Sequence, residues 1–342
     1  MTTGLAYSDA FLRHDTGAGH PERPERLRAI VSRLRASGVW DRLAVWEPRV
    51  VDEALLELVH TRGHVEYIRR IVERGGGRID ADTVASVGSW EAALRAAGGL
   101  VEAVERVADG ALRNAFCLVR PPGHHATPGQ AMGFCLFNNV AMAAAWLLST
   151  GRARRVAILD YDVHHGNGTQ DAFYDRADVL YISTHQFPLY PGTGHWRETG
   201  SGSGQGYTLN VSLPPGSGDE VYAAALEQIV EPAVRRYEPD FILVSLGFDA
   251  FWDDPLASLR LSIGGAYTPL LRSAFDLADA RLVVALEGGY NLDALSHGTE
   301  AACHILLGEP PPPDPLGPPP TQLRLPEVQP LLTAIAQLHG LA

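Results

Sequence analysis

The sequence predicts an α/β fold of the doubly wound type, and three observations carry that prediction. Short runs that are apolar on both faces recur along the chain, as expected for buried strands of a parallel sheet. Stretches of helical composition separate them, the alternation of βαβ units. Each main strand also runs into a polar cluster at its C-terminal end, the edge where an open parallel sheet binds ligands. In chain order, the first hundred residues read as helical decoration ending in a helix over Glu91–Ala108. The strands Phe116–Val119, Val156–Leu159, Val179–Ile182, Tyr207–Leu213, Phe241–Val244 and Leu282–Leu286 follow. Helices are expected over Asn139–Leu148, Val221–Tyr237 and Tyr267–Ala280. The tract EPPPPDPLGPPP at 309–320 forbids helix and sheet ladders, so it reads as an extended strap before one short helix over Pro330–Leu341. The expectation is a single domain over 1–342, with a core from about residue 5 to 308 and the strap and C-terminal segment at 309–342.

Composition narrows the function. With 46% hydrophobic and 20% charged residues in 342, the chain is an enzyme-sized globular protein rather than a disordered one. The net charge of −12 repels a phosphate backbone, so no nucleic-acid partner is expected. No stretch approaches the ~18 apolar residues of a membrane span, and no membrane partner is expected. Cys117, Cys135 and Cys303 are odd in number and scattered, which fits a reduced, cytoplasmic setting better than a disulfide framework.

The polar clusters carry the chemistry. Asp162 and His164 stand two apart just past a strand, on the same side of an extended chain, and Asp249 offers a third ligand from another strand. Two carboxylates and an imidazole suit a divalent metal such as zinc, and three protein ligands leave a position open for water. The bland alternative for a lone Asp-x-His is a hydrogen-bonded loop pair; the neighbouring clusters outweigh it. His124 and His125, entered through Pro121-Pro122-Gly123, present two imidazoles that take or give a proton near neutral pH. Asp160 and Asn167 are candidate partners that fix each ring's tautomer. Tyr290, on a Gly288-Gly289 turn, is a candidate donor to a developing oxyanion, with a core tyrosine as the alternative.

Six ordered motifs, RPPGHHA (120–126), GFCLFNNVA (133–141), ILDYDVHHGNGTQ (158–170), YPGTG (190–194), GFDA…DDPL (247–256) and LEGGYN (286–291), together resemble the zinc-dependent histone deacetylases and acetylpolyamine amidohydrolases. The likeness runs from HPERPERL (20–27) to about residue 308. It is nearest the class II branch and its bacterial deacetylase-like amidohydrolases, because Asn167 stands where class I members tend to carry aspartate. The resemblance implies the arginase–deacetylase fold, an open, mostly parallel sheet of about eight strands with helices on both faces. It implies one zinc ion on Asp162, His164 and Asp249, with His125 as general base and acid. His124 would be its electrostatic partner, oriented by Asp160, and Tyr290 the oxyanion donor. It implies aromatic tunnel walls from Phe134 and Tyr190, with Gly133, Gly288 and Leu256 along the same tunnel. A structural potassium ion near Asp160, Asp162, His164, Ser183 and Thr184, and an acetate exit lined by Arg26, are implied as well.

The expected activity is therefore hydrolysis of an acylated primary amine, a peptide or small molecule, releasing acetate. Leu256 stands at the tunnel gate where certain polyamine-specific relatives carry glutamate, which tilts the substrate toward acetyl-lysine or a neutral acetyl amide; an acetylpolyamine is the alternative. The related ureohydrolases hold a second metal with Asp-x-His-x-Asp and Asp-x-Asp clusters, but Gly166 and Phe251 occupy the corresponding positions here. Phe251-Trp252 reads equally as a narrowed mouth or a packed loop corner. GSGSGQG (200–206) precedes a strand rather than opening a helix, so it reads as a surface loop and not a phosphate loop. Asp80 and Asp82 lie where relatives place a rim aspartate and read as solvated loop charges. His14, His20, His60, His64, His297 and His304 match no ligand spacing and read as structural. A binding module that kept the fold and lost turnover is the other class of function, and His124, His125 and Tyr290 count against it. A homo-oligomer is compatible with the sequence, which states no subunit number.

Overall fold

The computed structural model describes residues 2–279 and 281–341. Among the described residues ten strands appear in chain order: β1 (Thr3–Ala6), β2 (Ala44–Trp46), β3 (Gly76–Arg78), β4 (Val84–Ser86), β5 (Asn114–Cys117), β6 (Val156–Asp160), β7 (Val179–Gln186), β8 (Thr208–Leu213), β9 (Phe241–Leu246) and β10 (Leu282–Leu286). Eight form one sheet in the order β2-β1-β5-β10-β9-β6-β7-β8, and every pairing in it is parallel. β3 and β4 make a separate antiparallel pair. Every residue of β5 to β10 is buried, so both faces of the sheet are covered, which is why Val156–Leu159, Phe241–Val244 and Leu282–Leu286 are apolar runs without alternation. The helices Ser89–Ala108 and Asn139–Ser149 pack on one another, as do Glu25–Ala36 and Leu292–Leu306.

The first hundred residues are more than helical decoration, since β1 and β2 extend the main sheet. β1 has four residues and β2 three, too short to show a period. The strand expected at Phe116–Val119 occupies Asn114–Cys117. It begins at a polar residue because the buried Asn114 amide donates to the Leu306 carbonyl at 2.9 Å. β7 continues through Ser183, Thr184 and His185 to Gln186, because β8 pairs with that polar segment in register, Ser183 opposite Asn210 and His185 opposite Ser212. The Val221–Tyr237 stretch is one rod from Asp219 with a widened turn at Leu226–Val230. The expected helix ending at Ala280 runs over Thr268–Leu277, and Ala280 lies outside the described residues. Residues 200–206 form a loop with a short turn at Gly202–Gly204 before β8. The last helix starts at Leu325, with Pro326 in its first turn, where a missing N–H costs nothing.

The strand order positions the site. β5, β10, β9 and β6 are consecutive neighbours, and the loops leaving their C-terminal ends carry His124 and His125, Tyr290, Asp249, and Asp162 with His164, respectively. Four residue clusters far apart in sequence thus meet on one edge of the sheet.

Candidate active site

A cavity of about 210 Å³ opens on that edge. His124, His125, Asp162, His164, Gly288 and Tyr290 line it together with Phe134, Tyr190, Leu256 and Gly133, as the sequence anticipates. Pro122, Asp82 and Leu189 also line it, and sequence reasoning missed them as wall residues.

Asp162, His164 and Asp249 each point one donor atom to a common spot, all within 4.8 Å of one another, and among the described residues no other such group occurs. His164 Nδ1 lies 3.1 Å from Asp162 Oδ1 and 3.3 Å from Asp249 Oδ2. Backbone donors orient both carboxylates: Val163 N–H reaches Asp249 Oδ1 at 3.0 Å, and Gly288 N–H reaches Asp162 Oδ2 at 2.8 Å. Asp249 Oδ2 is buried without a hydrogen-bond partner, a costly position for a carboxylate oxygen unless a cation serves it. Burial and the like charge of Asp162 push the Asp249 carboxyl upward. Burial would lower His164, but its hydrogen bond to Asp162 and the nearby Asp249 carboxylate lift it to about 10, the mark of a spot whose potential favours positive charge. These residues fit a divalent metal.

The histidine pair sits beside this triad, both rings buried with centroids 4.0 Å apart. His124 Nδ1 lies 3.1 Å from Asp160 Oδ2, and Tyr181 donates its hydroxyl to the same oxygen at 3.0 Å. Burial opposes a charge on His124, yet Asp160 and Asp162 overcome it and raise the ring to about 10. His125 Nδ1 lies 2.9 Å from Asn167 Oδ1, and burial with the neighbouring His124 and His164 holds that ring well below its ordinary value. The two imidazoles are thus set apart electrostatically, a cation next to a neutral ring.

Aromatic rings shape the mouth. Tyr190 stands edge-on to His125 at 5.1 Å between centroids, and Phe134 edge-on to Tyr290 at 5.9 Å. Gly133 must be glycine: its φ is +55°, and a Cβ there would lie 2.3 Å from the His125 ring. Phe134 itself takes φ +68°, a strained conformation that turns its ring into the wall. Asp82 is half-buried in the cavity lining rather than a solvated loop charge, because Asp80 caps the Asp82 and Thr83 amides and folds the loop inward. Asp254 is likewise drawn inward, accepting from the Leu256, Tyr290 and Asn291 amides. Phe251 is buried and Trp252 donates Nε1–H to the Gly317 carbonyl, so this pair is a packed loop corner.

Arg26 lies fully buried behind Tyr290, its guanidinium 5.1 Å from the ring centre and bonded to Gly289 O, Glu287 O and Glu22. It braces the turn and is not part of the cavity wall. Asp160 and Ser183 face each other across β6 and β7, with Thr184 next in line. His14, His60 and His64 are buried away from the triad, His20 packs against Phe134, and His297 and His304 lie beside Glu300 and Glu309.

Residues 20–306 match the histone deacetylase domain. The chain belongs to the histone deacetylase family. It is 45% identical over 300 residues to a "probable deacetylase" of Archaeoglobus fulgidus, covering 86% of this chain and 82% of the relative. It is 44% identical over 286 residues to a histone deacetylase-like amidohydrolase of Pseudomonas aeruginosa, covering 82% and 75%. The crystal structure of the HDA15 HD domain superposes with a TM-score of 0.86 at 40% identity, over 90% of this chain and 91% of that one. The α/β architecture with its eight parallel strands is that of a histone deacetylase domain.

Proposed function

We propose that this histone deacetylase family member is a zinc-dependent hydrolase that removes an acetyl or related acyl group from an acylated primary amine, acetyl-lysine or a small neutral acetyl amide, and releases acetate. The observation that carries the proposal is the convergence of Asp162, His164 and Asp249 at a cavity whose wall also holds His125 and Tyr290.

A divalent ion on those three residues supplies Lewis acidity to the amide carbonyl and to water. His125 donates Nδ1–H to Asn167, which leaves Nε2 free to take a proton from the attacking water; burial keeps the ring neutral and ready for it. The same nitrogen then returns the proton to the departing amine. Protonated His124, balanced by Asp160, adds positive charge beside the reacting carbonyl. The Tyr290 hydroxyl donates to the oxyanion as it develops. Phe134 and Tyr190 flank the alkyl chain that carries the amide.

A structural potassium ion at Asp160, Ser183 and Thr184 belongs to the same reading, supported by the buried Thr184 hydroxyl, which lacks a partner. So does a cytoplasmic location, supported by three free, buried cysteines and by the lack of any membrane-crossing helix among the described residues. A second reading, hydrolysis of acetylpolyamines, is favoured by Asp82, which brings an acidic residue to the wall of the same cavity as the apolar Leu256. Acetate release from acetyl-lysine peptides and from acetylspermidine, compared by kcat/KM in low and physiological salt, tests both readings. Chelation should abolish the activity and one equivalent of zinc restore it. Full activity after metal removal would reject the proposal.

A further inference from the structure

We propose that Glu287 is a positioning residue for this reaction, whose carboxylate locks the loop carrying His124 and His125 to the turn carrying Tyr290. The inference rests on the deacetylase reading above and adds to it a residue that touches neither substrate nor metal ligands.

Glu287 follows β10 directly and is buried. Its Oε2 accepts the Gly123 amide at 2.7 Å and the His124 amide at 3.2 Å, and its Oε1 accepts the Ser245 hydroxyl at 3.1 Å. All three donors are neutral, so this carboxylate is buried without an ion-pair partner in its own bonds, an arrangement that costs free energy. Burial accordingly pushes its carboxyl up to about 7, against the pull of His124. What the residue gains is a junction. Its own carbonyl accepts from Arg26, the next amide, Gly288 N–H, holds Asp162, and the turn ends three residues on in Tyr290. One residue therefore sets the spacing between the proton carrier His125 and the oxyanion donor Tyr290, the two groups that must flank the same carbonyl.

The geometry assigns hydrogen-bond acceptance, not charge, as the working property. Glu287→Gln keeps an oxygen for both amides and presents its NH2 to Ser245, whose hydroxyl can turn to accept. Glu287→Asp keeps the charge but draws the oxygens back by one methylene, and Glu287→Ala removes them. Misplacement of reacting groups by 1 Å costs up to ~10²-fold, so Glu287→Asp and Glu287→Ala should lose roughly 10- to 100-fold in kcat with KM little changed. Glu287→Gln should stay within about threefold, since neutral acceptance is conserved. All three should bind one zinc per chain.

The test measures kcat and KM of full-length wild type and the three variants on an acetyl-lysine reporter, with zinc content. Amide exchange at Gly123 and His124 is followed in parallel as a readout independent of turnover. Slow exchange in wild type and Glu287→Gln, with fast exchange in Glu287→Asp, supports the junction. If Glu287→Ala fails to fold, the Gln–Asp contrast decides. Glu287→Gln as impaired as Glu287→Asp would overturn the proposal in favour of charge, and an unimpaired Glu287→Asp would overturn it outright while leaving the deacetylase reading standing. A wild type without metal-dependent turnover would overturn that reading and this proposal with it.

Discussion

Gly288→Ala gives the sharpest test of the metal site, because the added methyl has nowhere to go but between the two carboxylates. A Cβ at Gly288 would lie 2.0 Å from Asp249 Oδ2 and 2.6 Å from Asp162 Oδ2, where ordinary contact begins at 3.4 Å. One oxygen must retreat by roughly 1.4 Å and the other by roughly 0.8 Å, against the ~0.2 Å tolerance of a metal–ligand distance. Neither carboxylate is free to swing: Asp249 is held by Val163 N–H at 3.0 Å and Asp162 by His164 N–H at 2.9 Å. Loss of an outer hydrogen bond alone typically costs ~10–100-fold in metal affinity, and displacing two direct ligands should exceed that. Gly288→Ala is therefore expected to emerge from dialysis essentially free of zinc and to release no acetate above background, with its far-UV circular dichroism unchanged. Gly129→Ala is the matched control, since a Cβ there meets nothing within 4 Å. Zinc titration with elemental analysis and an acetate assay suffice. One tightly held zinc and native turnover in Gly288→Ala would refute the assignment of Asp162 and Asp249 as joint ligands.

Three further outcomes follow from the structure. Tyr290→Phe deletes one hydroxyl and should lower kcat by the ~10²–10³ of a lost oxyanion donor with zinc content unchanged; near-native kcat would leave the oxyanion to other groups. Leu256→Glu should shift the kcat/KM ratio toward acetylspermidine by roughly ten- to a hundredfold, the ~1–3 kcal/mol of a charged hydrogen bond, and no shift would show that Asp82 already supplies the charge. Burial would raise the Glu22 carboxyl, but Arg120 and Arg26 hold it at about 2, below its ordinary 4.5, so its contribution is complete above pH 4.5 and lost as pH falls toward 2. Glu22→Gln should cost about 3–5 kcal/mol at pH 7, with a gap to wild type in urea unfolding that narrows from pH 4.5 downward; a pH-independent gap would refute the ion-pair account.

The central strands were legible in the sequence because burial on both faces leaves no polar residue in Val156–Leu159 or Leu282–Leu286. β1 and β2 were not, since strands of four and three residues carry too little pattern to stand out from loop. Polar residues misled at strand ends for a related reason. Asn114 and His185 belong to strands because the carbonyls of Leu306 and Gly194, outside those strands, engage their side chains, which no local period reports.

The site was legible to the extent that its chemistry needs particular side chains. Metal ligation and proton transfer require carboxylate and imidazole, so Asp162, His164, Asp249, His124 and His125 advertise themselves by residue type and spacing. Residues that act through the backbone do not. Asp254 works by receiving the Leu256, Tyr290 and Asn291 amides, and Glu287 by receiving those of Gly123 and His124, at sequence separations of up to 164. Every residue but proline offers an amide, so such an acceptor leaves no recognisable partner in the sequence. Asp82 illustrates the same limit at the mouth: its place in the wall depends on Asp80 capping two amides of one loop, a turn that looks identical in sequence whether it faces solvent or the cavity. What the sequence conceals is the set of carboxylates that hold the reacting groups at their distances, and it is there that variation should retune this enzyme without altering any of its six motifs' metal ligands or proton carriers.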